Sequence, residues 1–362
     1  MRRSPHSTSD RPPIGAVTQA LPTAHASPVR GGRVRGAAVV GAAILALVVL
    51  SFFSLFAGSG NTTAAQVWDV LTGAGDEYST MIVQARVPRT VVGAVAGAAL
   101  ALSGALIQSI TRNPLGDPGY LGVTTGASAG VVVATAILGA GTVSAIGYLA
   151  FAVPGALAAV LVVYVLGTRS RSESLVPLVL AGAVVTAVLH ALITAIVLSN
   201  PTVFDSYRFW VVGSLTGADV GALAVTGPLA LAGVVVGLAI TGGLNTMALG
   251  DEMAASLGVR VPLIRGLGLL AATLLAATAT ALTGPIAFLG LAVPHIVRSA
   301  VGSDMRWQAP ASLFAGGALL IGADMLARVI VKPEELMVGI VMAFVGAPFL
   351  LLAVRRMGRG QS

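Results

Sequence analysis

The chain has no cysteine, so neither a disulfide framework nor a thiolate metal site is open to it. It has one lysine, Lys332, followed directly by Pro333, which excludes a Gly-x-x-x-x-Gly-Lys-Ser/Thr phosphate loop. A His-Glu-x-x-His pair is absent, as is any cluster of aspartates able to hold a metal-bound diphosphate, so the machinery of a membrane-embedded hydrolase is missing. His190 and His295 each lack a second ligand at metal-binding spacing; no metal site and no cofactor are expected. Charge is the scarcest commodity, with only 10% of 362 residues being Asp, Glu, Lys or Arg.

What fills the chain instead is apolar, 56% hydrophobic, and residues 118–168 contain no charge at all. A helix needs roughly 20 apolar residues to cross the bilayer core, because every backbone group must be hydrogen-bonded within its own segment. A soluble protein of this length has too few core positions to hide so many helices that are apolar on all sides. The reading is an all-α polytopic membrane protein with about ten spans, near 37–57, 90–110, 118–138, 143–167, 174–198, 220–243, 262–283, 285–303, 309–330 and 336–354. In the eighth, Pro285, Pro294, His295 and Arg298 leave a short apolar piece, and a tilted or re-entrant segment is expected there.

Residues 1–36 are rich in Pro, Ser, Thr and Arg and lack periodic apolar positions, which predicts a disordered cytoplasmic tail; 37–354 form the transmembrane domain and 355–362 a short cytoplasmic tail. The run 37–57 exceeds the roughly 7 to 15 apolar residues of a signal peptide and is read as a retained first span. With both termini inside, the outer side holds only Arg86, Arg89, Arg208, Arg328 and Lys332 of the 21 basic residues, as the positive-inside rule requires. The net charge of +7 is thus a topology signal, and nucleic-acid binding is not supported. Small residues recur at helix-packing spacing at Gly93, Gly97 and Ala101 and at Gly122, Gly126 and Gly130, which suits close packing within one subunit or at a dimer face.

Four polar-punctuated stretches interrupt the apolar background. The first is Arg86-Val-Pro-Arg89, followed by Gly97 to Gly104, Gln108, and Asn113-Pro-Leu-Gly-Asp-Pro-Gly119; its two prolines predict a helix-breaking turn at the inner surface. The second is Trp210-Val-Val-Gly-Ser-Leu215. The third covers 244–261, where Gly250 and Gly258 suit helix ends and Leu249, Met253 and Leu257 recur every four residues, predicting a short amphipathic helix pair with one apolar edge. The fourth runs from Gly284-Pro-Ile-Ala-Phe through Pro294-His295 to Arg298, and is joined by Asp324, Arg328 and 339–348.

In this order and spacing the four stretches resemble the FecCD family, permease subunits of binding-protein-dependent importers of iron chelates and vitamin B12, over residues 37–354. The resemblance implies a non-catalytic subunit of an ATP-binding-cassette importer in the bacterial plasma membrane, taking up an iron(III)-siderophore by alternating access. It implies two ATPase subunits inside, an extracytoplasmic substrate-binding protein, and a second permease subunit, identical or related. The third stretch is then the coupling segment, with Leu249, Gly250, Asp251, Glu252, Met253, Ser256, Leu257 and Gly258 as ATPase contacts; resting that edge on the lipid interface is the competing account. Arg86, Arg89 and Arg328 match arginines that receive acidic residues of the binding protein, while membrane snorkelling and an intrahelical Asp324–Arg328 pair are the plainer explanations. His190 and Thr194 fall on a helix that the family places beside the translocation path. Vitamin B12 or haem are alternative cargoes. An ion-coupled secondary transporter is the alternative mechanism; its intramembrane titratable groups would have to be Asp324 and His190.

Overall fold

The computed structural model describes residues 29–58, 62–139, 145–168 and 176–359. Among them there is no strand, and each of the ten expected spans has its helix. In chain order the helices are α1 (Val29–Ser54), α2 (Ala64–Leu71), α3 (Glu77–Thr111), α4 (Val123–Leu138), α5 (Ala145–Thr168), α6 (Val176–Ser199), α7 (Pro201–Trp210), α8 (Ala222–Ala239), α9 (Thr241–Met247), α10 (Asp251–Ser256), α11 (Val261–Thr283), α12 (Leu289–Val301), α13 (Met305–Val329) and α14 (Val338–Arg359). Seven are long and apolar enough to cross a bilayer; α4, α12 and 338–348 of α14 are shorter apolar helices.

Helix boundaries depart from the expected spans where polar groups extend a helix or prolines shorten one. α1 begins at Val29, so the stretch expected to be a tail is helical from there on, whereas residues 1–28 lie outside the described residues. α14 likewise continues to Arg359, and only 360–362 of the expected C-terminal tail fall outside the description. The second span opens at Glu77, where the Asp76 side chain accepts from the Ser79 N–H and caps the helix. α3 therefore has 35 residues, about 52 Å at 1.5 Å per residue, and its first turns stand clear of the outer face of the membrane.

α3 is the axle of the bundle, packed by α11, α12 and α13, while α1 and α6 lie at the periphery. Close approach is set by small residues. Gly97 of α3 faces Gly316 of α13, and Gly126 of α4 faces Gly155 of α5, so both small-residue ridges are spent on packing inside this chain. The Gly126-Ala-Ser-Ala-Gly130 ridge also spells the Gly-x-Ser-x-Gly pattern of hydrolases. It lies inside α4, with the Ser128 hydroxyl donating to the Thr124 carbonyl at 2.9 Å, and has none of the strand-to-helix geometry of a nucleophile elbow.

α12 has 13 residues, about 20 Å, and cannot cross the membrane alone. After α11 the non-helical stretch 284–288 leads into α12, so the eighth span is broken, part extended chain and part short helix. The inner turn after α3 packs on α6. A short 3-10 turn, Pro118–Leu121, is capped by Asp117 accepting from the Gly119 N–H at 2.8 Å, and it packs against Gly182, six residues into α6.

Candidate functional site

At the inner surface α9 and α10 form the expected helix pair. Gly250, at φ 113°, makes the turn between them, and Gly258, at φ 84°, ends α10 with the Val259 and Gly258 N–H groups returning to the Ala254 and Ala255 carbonyls. Leu244, Met247 and Ala254 are buried against the bundle, whereas Leu249, Met253 and Leu257 are 66%, 54% and 61% exposed. Glu252, Ser256 and Gly258 are exposed beside that apolar edge.

Asp251 is differently placed. Arg265 of α11 donates to its Oδ2 at 2.6 Å, and Arg112, just past the end of α3, pairs with its Oδ1. Burial works against its charged form, but the hydrogen bonds and charges of Arg265 and then Arg112 outweigh it and hold the carboxyl below its usual range. The other end of the unit is tied to α13: Asn245 donates to Asp304 at 2.6 Å and accepts from the Met305 N–H at 2.8 Å.

At the outer surface Arg89 and Arg328 converge on Asp324. Arg89 places Nε and Nη2 on the Asp324 carboxylate, with Nη2 to Oδ1 at 2.7 Å, and its Nη1 donates to Glu335 at 2.6 Å. Arg328 pairs with Asp324 one helical turn away, so the intrahelical pair exists, and it also donates to the Ser54 and Ala57 carbonyls at 3.0 and 2.9 Å. Arg86 donates to the Leu55 carbonyl at 2.7 Å and to the Thr62 hydroxyl at 3.0 Å. Arg86, Arg89, Asp324 and Arg328 are all buried, and their guanidinium groups close the end of α1 against α3 and α13 rather than projecting from the surface. Such groups satisfy carbonyls that a helix end leaves without partners.

Between these levels α6 presents a mixed face. His190 and Thr194 are exposed on it, beside the i, i+4 ladder Ala183, Ala187, Ala191 and Ala195, while Leu180, Val184, Val188 and Leu192 form a second, bulkier exposed stripe. A histidine in mid-span is costly against lipid, so the small and polar face is suited to water or another helix and the bulky face to acyl chains. The second and fourth motif stretches also meet at the outer mouth: the Ser214 N–H donates to the Thr283 carbonyl at 2.7 Å, the Gly339 N–H to the Gly213 carbonyl at 3.1 Å, and Gly346 packs on Phe288. A cavity of about 410 Å³ opens next to this junction, lined in part by Trp210, Ser214 and Gly284.

Residue patterns alone did not point to Arg112, Arg265 or Glu335 as partners of the candidate residues, nor to Asn245 and Asp304 as a tie. The available signal was physical: an acid at the membrane boundary between arginines on the same side asks for a pairing.

An all-helical bundle of this kind, with seven helices long and apolar enough to span, shorter apolar helices between them and an inner helix pair offering an apolar edge, is a multi-pass membrane permease. The chain belongs to the FecCD transport family, whose family model matches residues 46–356. It is 45% identical over 310 residues to the ferric enterobactin transport system permease protein FepD of Escherichia coli (strain K12), covering 85% of this chain and 92% of that one. It is 38% identical over 290 residues to the Fe(3+)-citrate import system permease protein YfmD of Bacillus subtilis (strain 168), covering 80% and 84%. Among solved structures, an inward-facing metal-chelate type ABC transporter shares the fold, with a TM-score of 0.77 at 24% identity over 88% of this chain and 99% of that one.

Proposed function

We propose that this chain is one of two permease subunits of an ATP-driven importer, and that its cargo is an iron(III)-siderophore complex. One observation carries the reading: at the inner surface an apolar edge, Leu249, Met253 and Leu257, is held out on a helix pair that is tied to three spanning helices. Such an edge fits a groove on a soluble subunit better than it fits lipid, because Glu252 stands exposed beside it. With no phosphate loop in this chain, two separate ATPase subunits would hydrolyse the nucleotide.

The two permease subunits, identical or related, would enclose the pathway with the α6 face that carries His190 and Thr194. Alternating access would run between the outer junction at Gly213, Gly284 and Gly339 and the inner helix pair. The extracytoplasmic binding protein would dock over Arg86, Arg89 and Arg328. Among the described residues the three cations there have two acids paired within the cluster, Asp324 and Glu335, which leaves an excess positive charge, and Glu335, the more exposed acid, is the one an incoming carboxylate would displace. The iron-siderophore assignment is supported by the likeness to the ferric enterobactin permease FepD and the Fe(3+)-citrate permease YfmD.

The test is uptake of a labelled panel in cells lacking the chain's gene and in the same cells complemented with it. Restored uptake of a ferric siderophore, with cobalamin and haem uptake unchanged, supports the assignment. Restoration of cobalamin or haem uptake alone moves the cargo and leaves the permease reading intact.

A further inference from the structure

We infer that Asp251 is a positioning residue, a peg that fixes the inner helix pair to α3 and α11, and not a surface contact for the ATPase. This rests on the coupling role proposed for that helix pair. Asp251 opens α10, and its single carboxylate takes arginines from two different spanning elements, Arg265 in the second turn of α11 and Arg112 at the end of α3. The same Arg112 guanidinium donates to the Met247 carbonyl at 2.6 Å, so it closes the last turn of α9 while it holds the first residue of α10. One charged knot therefore fixes both helices of the pair.

The geometry separates two jobs within one short segment. Leu249, Met253 and Leu257 lie exposed on the edge, and Glu252, which makes no ion pair among the described residues, stands beside them. Asp251 is turned toward Arg112 and Arg265 and is only partly exposed. Force applied to the exposed edge reaches the membrane domain through Asp251 and is delivered to two helices at once. α3 runs from this knot to the Arg86 and Arg89 cluster at the outer face, and α11 runs from it to the non-helical stretch 284–288. A carboxylate held by two charge-assisted hydrogen bonds is stiff enough for such a link, because each bond is about twice as strong as a neutral one.

Because the chain has no cysteine, spin labels can be placed at Ser256→Cys on α10 and Ser299→Cys on α12 without background. In the purified full chain the parent should give one narrow distance distribution, and Asp251→Asn and the Arg112→Gln/Arg265→Gln pair should broaden it equally, while Glu252→Gln should not. Inverting the knot, with Asp251→Arg, Arg112→Asp and Arg265→Asp together, should narrow it again, a rescue that a general folding defect would not allow. In unlabelled chains co-expressed with the ATPase subunit, Asp251→Asn should retain that subunit on purification yet import several-fold less ferric siderophore per ATP hydrolysed, and Glu252→Arg should lose the subunit. An Asp251→Asn distribution as narrow as the parent's, or loss of the ATPase subunit from it as severe as from Glu252→Arg, overturns the inference. If the parent's transport proves independent of ATP, the coupling role itself fails, and the distance measurements still decide whether Asp251 is the peg.

Discussion

Gln108 donates its side-chain N–H to the Gly290 carbonyl at 3.3 Å and shares it with Leu291 at the same distance. Pro294 has no N–H, so the Gly290 carbonyl four residues before it has no helical partner, and a buried carbonyl in hydrocarbon cannot go without one. Gln108 lies on α3 and α12 begins at Leu289, so one amide side chain pins the half-span to the central helix. Replacing it with leucine keeps the bulk and removes the donor.

Gln108→Leu should therefore destabilise the chain toward the low end of about 1–3 kcal/mol, the cost of an unsatisfied buried acceptor, because the buried and unpartnered Gln108 Oε1 is removed with the donor. Hydrogen exchange should rise first in the opening turn of α12. Unchanged protection there would mean that Gly290 has another partner.

A Cβ placed on Gly104 would overlap the Gly290 carbonyl oxygen, whereas one on Gly41 of α1 would have no heavy atom within 4 Å. Gly104→Ala should push α12 off α3 and lower both the yield of monodisperse protein and uptake. Gly41→Ala should be neutral or slightly stabilising, since alanine is the better helix former. Equal behaviour of the two variants, by size-exclusion profile and thermal unfolding, would contradict this packing.

Asp324→Asn removes the carboxylate that two buried arginines share, leaving Arg89 and Arg328 facing each other. Breaking a buried pair in this way costs about 3–5 kcal/mol. Glu335→Gln, at a side chain that is 25% exposed, should cost well under half as much. Comparable melting shifts for the two would show that the outer cluster is not anchored on Asp324.

The Asp251 knot also fixes a pH dependence. The native carboxyl lies below the ordinary value of 3.8, so its stabilisation is complete above that value and is lost as pH falls through the lower native one. The distance between labels at 256 and 299 should stay narrow at neutral and mildly acidic pH and broaden only below 3.8. Broadening at milder pH would assign the link to another group.

Charging the exposed edge should separate assembly from folding. Met253→Asp places a carboxylate on the exposed apolar edge, and the chain should fold and unfold nearly as the parent does. The ATPase subunit should no longer copurify with it. Retention of that subunit would favour the lipid interface as the neighbour of this edge.

Much of this was legible in the residues. The helices of the ten expected spans followed from apolar runs between polar breaks, seven of them long enough to cross a bilayer, and the inner helix pair followed from Gly250, Gly258 and the four-residue recurrence of Leu249, Met253 and Leu257. The directions of charged side chains did not follow. The Asp324–Arg328 pair was legible from its four-residue spacing, but Arg86 and Arg89 read as outward-facing anchors or docking groups, and the acids that turn Arg89 inward, Asp324 and Glu335, lie up to 246 residues away in sequence. Asp251 and Glu252 are adjacent and chemically alike, and only the fold, by bringing Arg112 and Arg265 to one of them, makes them different.

The most direct measurement of the central claim is uptake of radioactive ferric siderophore into cells with and without the chain, in parallel with an uncoupler and with an ATP-depleting treatment. The account predicts uptake that depends on the chain, stops when ATP is depleted and survives rapid uncoupling. Uptake that collapses with the uncoupler while ATP persists would contradict it and point to an ion-coupled transporter.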